Sequence, residues 1–255
     1  NVLLDAGRPA TVLACADGSR WRLDADAIEH HPAGGAMPQR WRWNAIDRPR
    51  PGGRLALHCD DGDGLWLGGP HGVSRWRRGH FHLVPGVDAP ASALHAPDAA
   101  TLWVASPGKV RRYRIQDGVA RSGLQMDARQ GLPAVRLASL ATDAHGALWA
   151  SSARGLLRLR PREGQVRLYT RAEGVPEAVL AAQLQSDGAH MLAVDDHGRA
   201  VRFDPVGLSA CKGEPALVVE RVQLYRQGAL QTLPPAQVLQ LHPDDRDIQV
   251  SVRLL

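Results

Sequence analysis

Apolar and polar residues alternate along this chain in short runs of four to six, and almost every run ends at a glycine or an Asp-Gly turn. Alternation at every second position puts successive side chains on opposite faces, which predicts strands; no window keeps an apolar stripe at the 3.6-residue helical period. One run is distinctive. Leu65-Trp66-Leu67-Gly68 follows Gly64 and is followed by Gly72-Val73-Ser74-Arg75-Trp76, and the order turn, Leu-Trp strand, glycine, strand recurs around Leu102-Trp103-Val104 and Leu148-Trp149-Ala150. The tryptophans fall 37 and 46 residues apart. That is the period of a four-stranded propeller blade, and it predicts an all-β fold of antiparallel repeats.

With Trp66, Trp103 and Trp149 as phase markers, and Gly72 and Gly155 opening the following strand, about five units are expected over residues 1–208. The first is degenerate: Thr11 to Ala14, the hairpin turn Asp17-Gly18, then Arg20 to Leu23. Asp-Gly suits a tight hairpin because glycine adopts positive φ freely and Asp tolerates it. Trp41 and Trp43, at alternate positions, are expected to share one core-facing side, and His30-His31, beside Pro32 and Gly34-Gly35, reads as loop. The fourth unit is the cleanest, with strands expected at 136–142, 147–151, 156–160 and 166–170; the fifth is expected over 179–204, its marker tryptophan replaced by Leu192. Gly131-Leu132-Pro133 and Gly174-Val175-Pro176, 43 residues apart, read as crossovers between units. Proline is tolerated there because it precedes a strand instead of sitting inside one.

After Asp204-Pro205 the pattern changes. Ala216 to Tyr225, a turn at Arg226 to Ala229, Val238 to Leu241 and Ile248 to Val252 read as strands without the Leu-Trp marker. Residues 215–255 are therefore expected to begin a small β-sandwich that stops short of the ~100 residues usual for one.

Composition narrows the function classes. Of 255 residues, 31 are Lys or Arg and 26 Asp or Glu, a formal charge of +5, with arginines such as Arg75, Arg77, Arg111, Arg112 and Arg158 spread along the strands as solvent-facing positions would be. A nucleic-acid partner is disfavoured because the charge forms no block. Cys15, Cys59 and Cys211 lie far apart, which excludes a Cys-x-x-Cys zinc site and leaves room for one bridge in an oxidising compartment. No run approaches the ~18 apolar residues of a membrane span. The opening Asn1 to Arg8 lacks a signal-peptide core, so the chain reads as an excised or processed segment.

Candidate chemistry is sparse. His80 and His82 flank Phe81 and project to one face as two metal ligands would, but a third is absent unless His71 folds over, so solvated histidines are expected. Asp60-Asp61-Gly62-Asp63-Gly64 has clustered carboxylates but lacks the distant Glu of a calcium loop, and turn chemistry accounts for it. The three marker tryptophans are expected to fill the wedge between blades, whereas Trp21, Trp41, Trp43 and Trp76, less regular in phase, are the better candidates for stacking on a sugar if they lie in loops. Asp195-Asp196 and Asp244-Asp245 sit in polar turns, and no nucleophile elbow, zinc helix or phosphate loop occurs. No catalytic residue, metal or cofactor is expected.

The unit Asp143-Ala144-His145-Gly146-Ala147-Leu148-Trp149-Ala150-Ser151-Ser152-Ala153-Arg154-Gly155-Leu156-Leu157-Arg158, with Gly174-Val175-Pro176 after it, resembles the two-component regulator propeller repeat; the unit around Trp66 matches through Gly64, Leu65, Leu67, Gly68, Gly72, Val73 and Arg75. The unit at Trp103 departs, having no Asp-x-x-Gly turn. Members of that family carry an Ig-like domain named for its tyrosines after the propeller, and residues 215–255 are similar to its opening strands. The resemblance implies a periplasmic ligand-sensing segment of a bacterial transmembrane protein, with output through a histidine kinase or diguanylate cyclase. The expected partners are other blades or domains of the parent chain, a second copy of the chain, and an unidentified ligand for which an anionic glycan or oligosaccharide suits the arginine excess. The alternatives are a streptogramin-type propeller lyase, which needs a central histidine with acidic partners, and a propeller that binds protein loops.

Overall fold

The computed structural model describes residues 2–3, 11–15, 17–24, 26–43, 46, 54–59, 64–195, 197–210, 217–233 and 241–254. The expectations placed on Asn1, Leu4 to Arg8, Asp60 to Asp63, Asp196, Cys211, Glu214-Pro215 and Val238 to Gln240 lie outside the described residues. Two compact units divide the chain, Asn1–Pro205 and Val206–Leu255.

The first unit is a succession of antiparallel sheets. Its strands are β1 (Val2–Leu3), β2 (Thr11–Ala14), β3 (Arg20–Leu23), β4 (Ala27–His31), β5 (Gln39–Arg42), β6 (Arg54–Cys59), β7 (Leu65–Gly69), β8 (Gly72–Arg77), β9 (His80–Leu83), β10 (Ala93–Asp98), β11 (Thr101–Ser106), β12 (Lys109–Gln116) and β13 (Val119–Met126). They continue with β14 (Leu137–Thr142), β15 (Leu148–Ser152), β16 (Gly155–Arg160), β17 (Gln165–Tyr169), β18 (Gln183–Ser186), β19 (Met191–Val194) and β20 (Ala200–Phe203). The sheets are β2-β3-β4-β5, β6-β7-β8-β9 with β1 added at the β6 edge, β10-β11-β12-β13, β14-β15-β16-β17 and the three-stranded β18-β19-β20. These are propeller blades, here blades 1 to 5 in chain order.

Blades pack face to face through their apolar sides. Trp66 of blade 2 lies in one cluster with Leu94, Ala96, Leu102 and Val104 of blade 3. Trp103 of blade 3 lies with Leu137, Leu140 and Leu148 of blade 4. Trp149 of blade 4 meets Phe203 of blade 5 edge-on at 5.5 Å between ring centroids. The marker tryptophans thus fill the space between neighbouring blades, where a large ring contributes most to burial.

Two glycines are required by these contacts. Gly155 sits at φ 148°, where a Cβ would come within 2.0 Å of the Tyr169 carbonyl oxygen, and Gly72 sits at φ 126°, 2.5 Å from the Val87 oxygen by the same construction. Between blades, the chain makes a single 3-10 turn at Ala128–Gln130 and again at Arg171–Glu173, each ending on a left-handed glycine, Gly131 and Gly174. In both, the residue three positions on reaches back to the cap: Gln130 Oε1 accepts from Asp127 N at 2.9 Å, and Glu173 Oε2 from Thr170 N at 2.8 Å. The following Leu132 and Val175 are buried, which anchors each crossover before its proline.

Two expectations are corrected, and one condition is not met. His30 and His31 are not loop residues but end β4, because His30 points inward and stacks on Trp21 at 4.3 Å. Trp21 and Trp76 lie on β3 and β8 and are buried, packed edge-on at 5.0 Å between blades 1 and 2, so the loop placement that would suit sugar stacking is not theirs; Trp41 and Trp43 join the same cluster, in line with the core-facing reading. The strand expected from Val179 begins only at Gln183, since Pro176 leads into a 3-10 turn at Glu177–Val179 and Ala181 takes φ 55° to donate its N–H to Ser152 O.

The second unit holds β21 (Leu217–Arg226), β22 (Ala229–Leu233) and β23 (Arg246–Leu254), in the sheet order β22-β21-β23. Val222 and Leu224 are fully buried. Arg226 grips Asp245 with two charge-assisted hydrogen bonds, Nε to Oδ1 at 2.7 Å and Nη2 to Oδ2 at 2.8 Å. That contact holds the Asp245 carboxyl far below the ordinary carboxylate range and raises the Arg226 guanidinium.

Candidate functional site

Each of blades 1 to 4 carries a transverse row of side chains on the face it turns to the next blade. The strand register sets these rows as His58–Trp66–Arg75–His82 in blade 2, Ala141–Trp149–Arg158–Arg167 in blade 4 and Leu13–Trp21–His30–Gln39 in blade 1; blade 3 has His95–Trp103–Arg112. The arginine lies against the indole: Arg75 is 4.4 Å and Arg158 5.7 Å from the tryptophan centroid of its own row, within the range of cation–π attraction. Arg75 is only 8% exposed, which corrects the expectation that it faces solvent. Part of the arginine excess therefore belongs to the architecture and not to a partner.

In blade 4 a carboxylate completes the row. Asp143, itself buried, accepts from the backbone N–H of His145 and Ala147, both at 2.9 Å, and from Trp149 Nε1 at 2.8 Å. The turn aspartate thus fixes both the hairpin and the indole. In blade 3 Asp98 caps the shorter β10–β11 turn by accepting from Ala100 N at 2.8 Å.

At the inner end of the rows, histidines link successive blades. His58 Nε2 is 3.1 Å from the Ala96 carbonyl oxygen of blade 3, and its ring meets His95 edge-on at 5.0 Å. His95 Nε2 is in turn 2.8 Å from Thr142 Oγ1 of blade 4. Burial, and secondarily the neighbouring His58, pulls the His95 imidazole down to about 3, so it is neutral at physiological pH. A neutral, hydrogen-bonded histidine here joins three blades along their first strands. Sequence reading missed this relay because His58 and His95 are 37 residues apart and only the register aligns them.

The other expected sites stay separate. His80 and His82 are exposed on β9, with centroids 6.4 Å apart. Among the described residues, no three His, Cys, Asp or Glu side chains converge in a way that would hold a metal. Asp195 is engaged by its own turn and by Arg199; burial raises its carboxyl, but those hydrogen bonds prevail and lower it overall. Cys15 and Cys59 form a disulfide between blades 1 and 2.

The turns between second and third strands share one end of the blades with the crossovers, since antiparallel strands return there. Arg154 in the β15–β16 turn and Arg129 and Arg171 in the crossovers are all exposed at that end.

The described molecule is thus a β-propeller assembly with a separate small sheet after it. No family model and no curated protein matches the chain. Among solved structures it is similar to the extracellular domain of BT3049 from B. thetaiotaomicron, assigned to a hybrid two-component system, at 11% identity and a TM-score of 0.62 over 89% of this chain and 32% of that one. The extracellular domain of BT4673 from the same organism matches at 13% identity and 0.53 over 96% of this chain and 36% of that one. XC5397 from Xanthomonas campestris, a gluconolactonase, matches at 18% identity and 0.55 over 80% and 75%. These likenesses are of fold. The chain spans about a third of the length of the two B. thetaiotaomicron domains. No described helix is long and apolar enough to cross a membrane.

Proposed function

We propose that this chain is a ligand-sensing segment of a bacterial transmembrane signalling protein, lying in the periplasm and relaying to a kinase or cyclase output domain of its parent. The observation that carries this reading is how far each likeness extends. The blades end at Pro205, about 80% of the 255 residues. The matches to the BT3049 and BT4673 domains cover 89% and 96%, and so run on into the second unit. The gluconolactonase match, at 80%, covers no more than the blades amount to. The Cys15–Cys59 bond supports an oxidising compartment. A lyase needs a central histidine with acidic partners, whereas His95 meets a hydroxyl and another imidazole.

The ligand we assign is an anionic glycan held at the end of the blades that carries Arg129, Arg154 and Arg171, where guanidinium groups present paired donors to carboxylates. Binding would shift the arrangement of two copies of the parent by no more than its differential affinity for the two states. The parent reading frame tests the main proposal: blades upstream, and a membrane span followed by a kinase or cyclase downstream, are expected. A frame that stops soon after Leu255 without a span would overturn it. For the ligand, titration calorimetry with oligogalacturonate is expected to give heat that the R129A/R154A/R171A variant loses; unchanged binding by that variant would remove the arginines from the site.

A further inference from the structure

The junction between blades 1 and 2 carries a covalent bond in addition to the apolar packing that the described junctions share. Later junctions carry hydrogen bonds across the boundary, among them Ala181 N to Ser152 O at 2.9 Å, Ser151 Oγ to Ala182 O at 2.6 Å, Leu184 N to Ser139 Oγ at 3.0 Å, and the His95–Thr142 contact. Among the described residues the first junction holds an aromatic and aliphatic cluster, Trp21, Ile28, Leu55, Leu65, Leu67 and Trp76, together with a covalent bond. Cys15 directly follows β2 and Cys59 ends β6, so the disulfide ties the first strands of two consecutive blades where each turns into its second strand, with Cα atoms 5.6 Å apart. Cys15 is itself fixed: its N–H donates to Ser19 O at 3.0 Å, and its carbonyl accepts from Gly18 N at 3.1 Å. The partners are 44 residues apart in sequence, so the bond closes a loop holding most of blade 1.

We propose that Cys15–Cys59 is a redox-set lock on blade 1: oxidised, it fastens the blade to its neighbour, and reduced, it lets blade 1 open as a local unit while blades 3 and 4 keep their packing. Closing the lock oxidises two thiols to one disulfide, with two electrons and two protons passing to a protein disulfide of the thiol-oxidase class, which is reduced to its dithiol. Opening it is the reverse exchange with a dithiol reductant. Local opening follows from loop entropy: with the bond cut, an opened blade 1 regains the conformational freedom of the 44-residue loop, while the apolar cluster that opposes opening stays the same.

The test uses the whole 255-residue chain, oxidised, then treated with tris(2-carboxyethyl)phosphine. Maleimide labelling with mass analysis is expected to find Cys15 and Cys59 protected before treatment and labelled after it. Amide hydrogen exchange is expected to quicken at least tenfold in residues 11–43 on reduction, with residues 93–169 unchanged. The C15S/C59S variant is expected to reproduce the reduced profile without reductant, and if it does not fold, the titration of the preassembled wild-type chain still decides. Equal exchange in oxidised and reduced chains would overturn the lock, as would loss of protection across all blades together, or labelling of either cysteine before reduction.

Discussion

A single buried carboxylate shows how closely one residue can tie local and inter-blade structure together. Asp143 closes the β14–β15 turn with two backbone bonds and holds the Trp149 indole with a third. Replacing it with alanine strands two buried donors, Ala147 N and Trp149 Nε1, and a third that is partly exposed, His145 N; we expect a loss of roughly 2–4 kcal/mol in urea unfolding, with Asp143→Asn recovering part of it through its amide oxygen. Trp149→Phe keeps most of the apolar burial but leaves Asp143 Oδ2 without that donor, at about 1–3 kcal/mol. Gly155→Ala places a methyl group against the Tyr169 carbonyl from a backbone conformation that L-residues resist, and the expected loss exceeds about 1 kcal/mol by the same measurement. The Asp-x-x-Gly-x-Leu-Trp spacing was visible in the sequence. Its meaning, an oxygen aimed at the indole N–H six residues on, needed the folded hairpin.

At the scale of elements, alternation and glycine punctuation located the blades well. Strands expected at 136–142, 147–151, 156–160 and 166–170 are found at Leu137–Thr142, Leu148–Ser152, Gly155–Arg160 and Gln165–Tyr169. The fifth unit was read less well, because a 3-10 turn after Pro176 satisfies the backbone locally and delays its first strand. What the pattern hid was the side-chain rows, since period two separates faces but does not say which face meets which blade. The inner histidine relay has a pH consequence of definite sign. His95 carries a pKa of about 3 in the folded chain against 6.5 when unfolded, so below about 6.5 the unfolded chain binds the extra proton. Its contribution is complete above that value and is lost as pH falls toward 3, with a slope of at most about 1.4 kcal/mol per pH unit. Chemical denaturation at stepped pH should show this slope in the wild type and a shallower one in His95→Gln, whose amide can still reach Thr142. Equal slopes would place the acid sensitivity elsewhere.

For the whole molecule, the division at Pro205 makes the second unit a body to be tested by itself: Arg226→Ala, which breaks the grip on Asp245, is expected to destabilise it, read as faster amide exchange in residues 217–233 and 241–254. Removing the disulfide acts on blade 1: the 44-residue loop it closes corresponds to about 4 kcal/mol in the opening of that blade, read as faster amide exchange in residues 11–43 of Cys59→Ser. That pairing was open in the sequence, where three cysteines gave no preferred couple, and only the adjacency of β2 and β6 decides it. The rows also act as a ruler on how such a chain can vary. From the first-strand residue to the tryptophan is eight residues in blades 1 to 4, and from the tryptophan to its arginine or histidine is nine. One residue inserted into either of those turns would carry the cation off the indole and turn an apolar strand inside out. Within blades 1 to 4, length is most easily gained in the third turn of a blade or in the crossovers; blade 5, where Leu192 replaces the marker tryptophan, has left the rule, with seven residues from Gln185 to Leu192 and ten from Leu192 to Arg202.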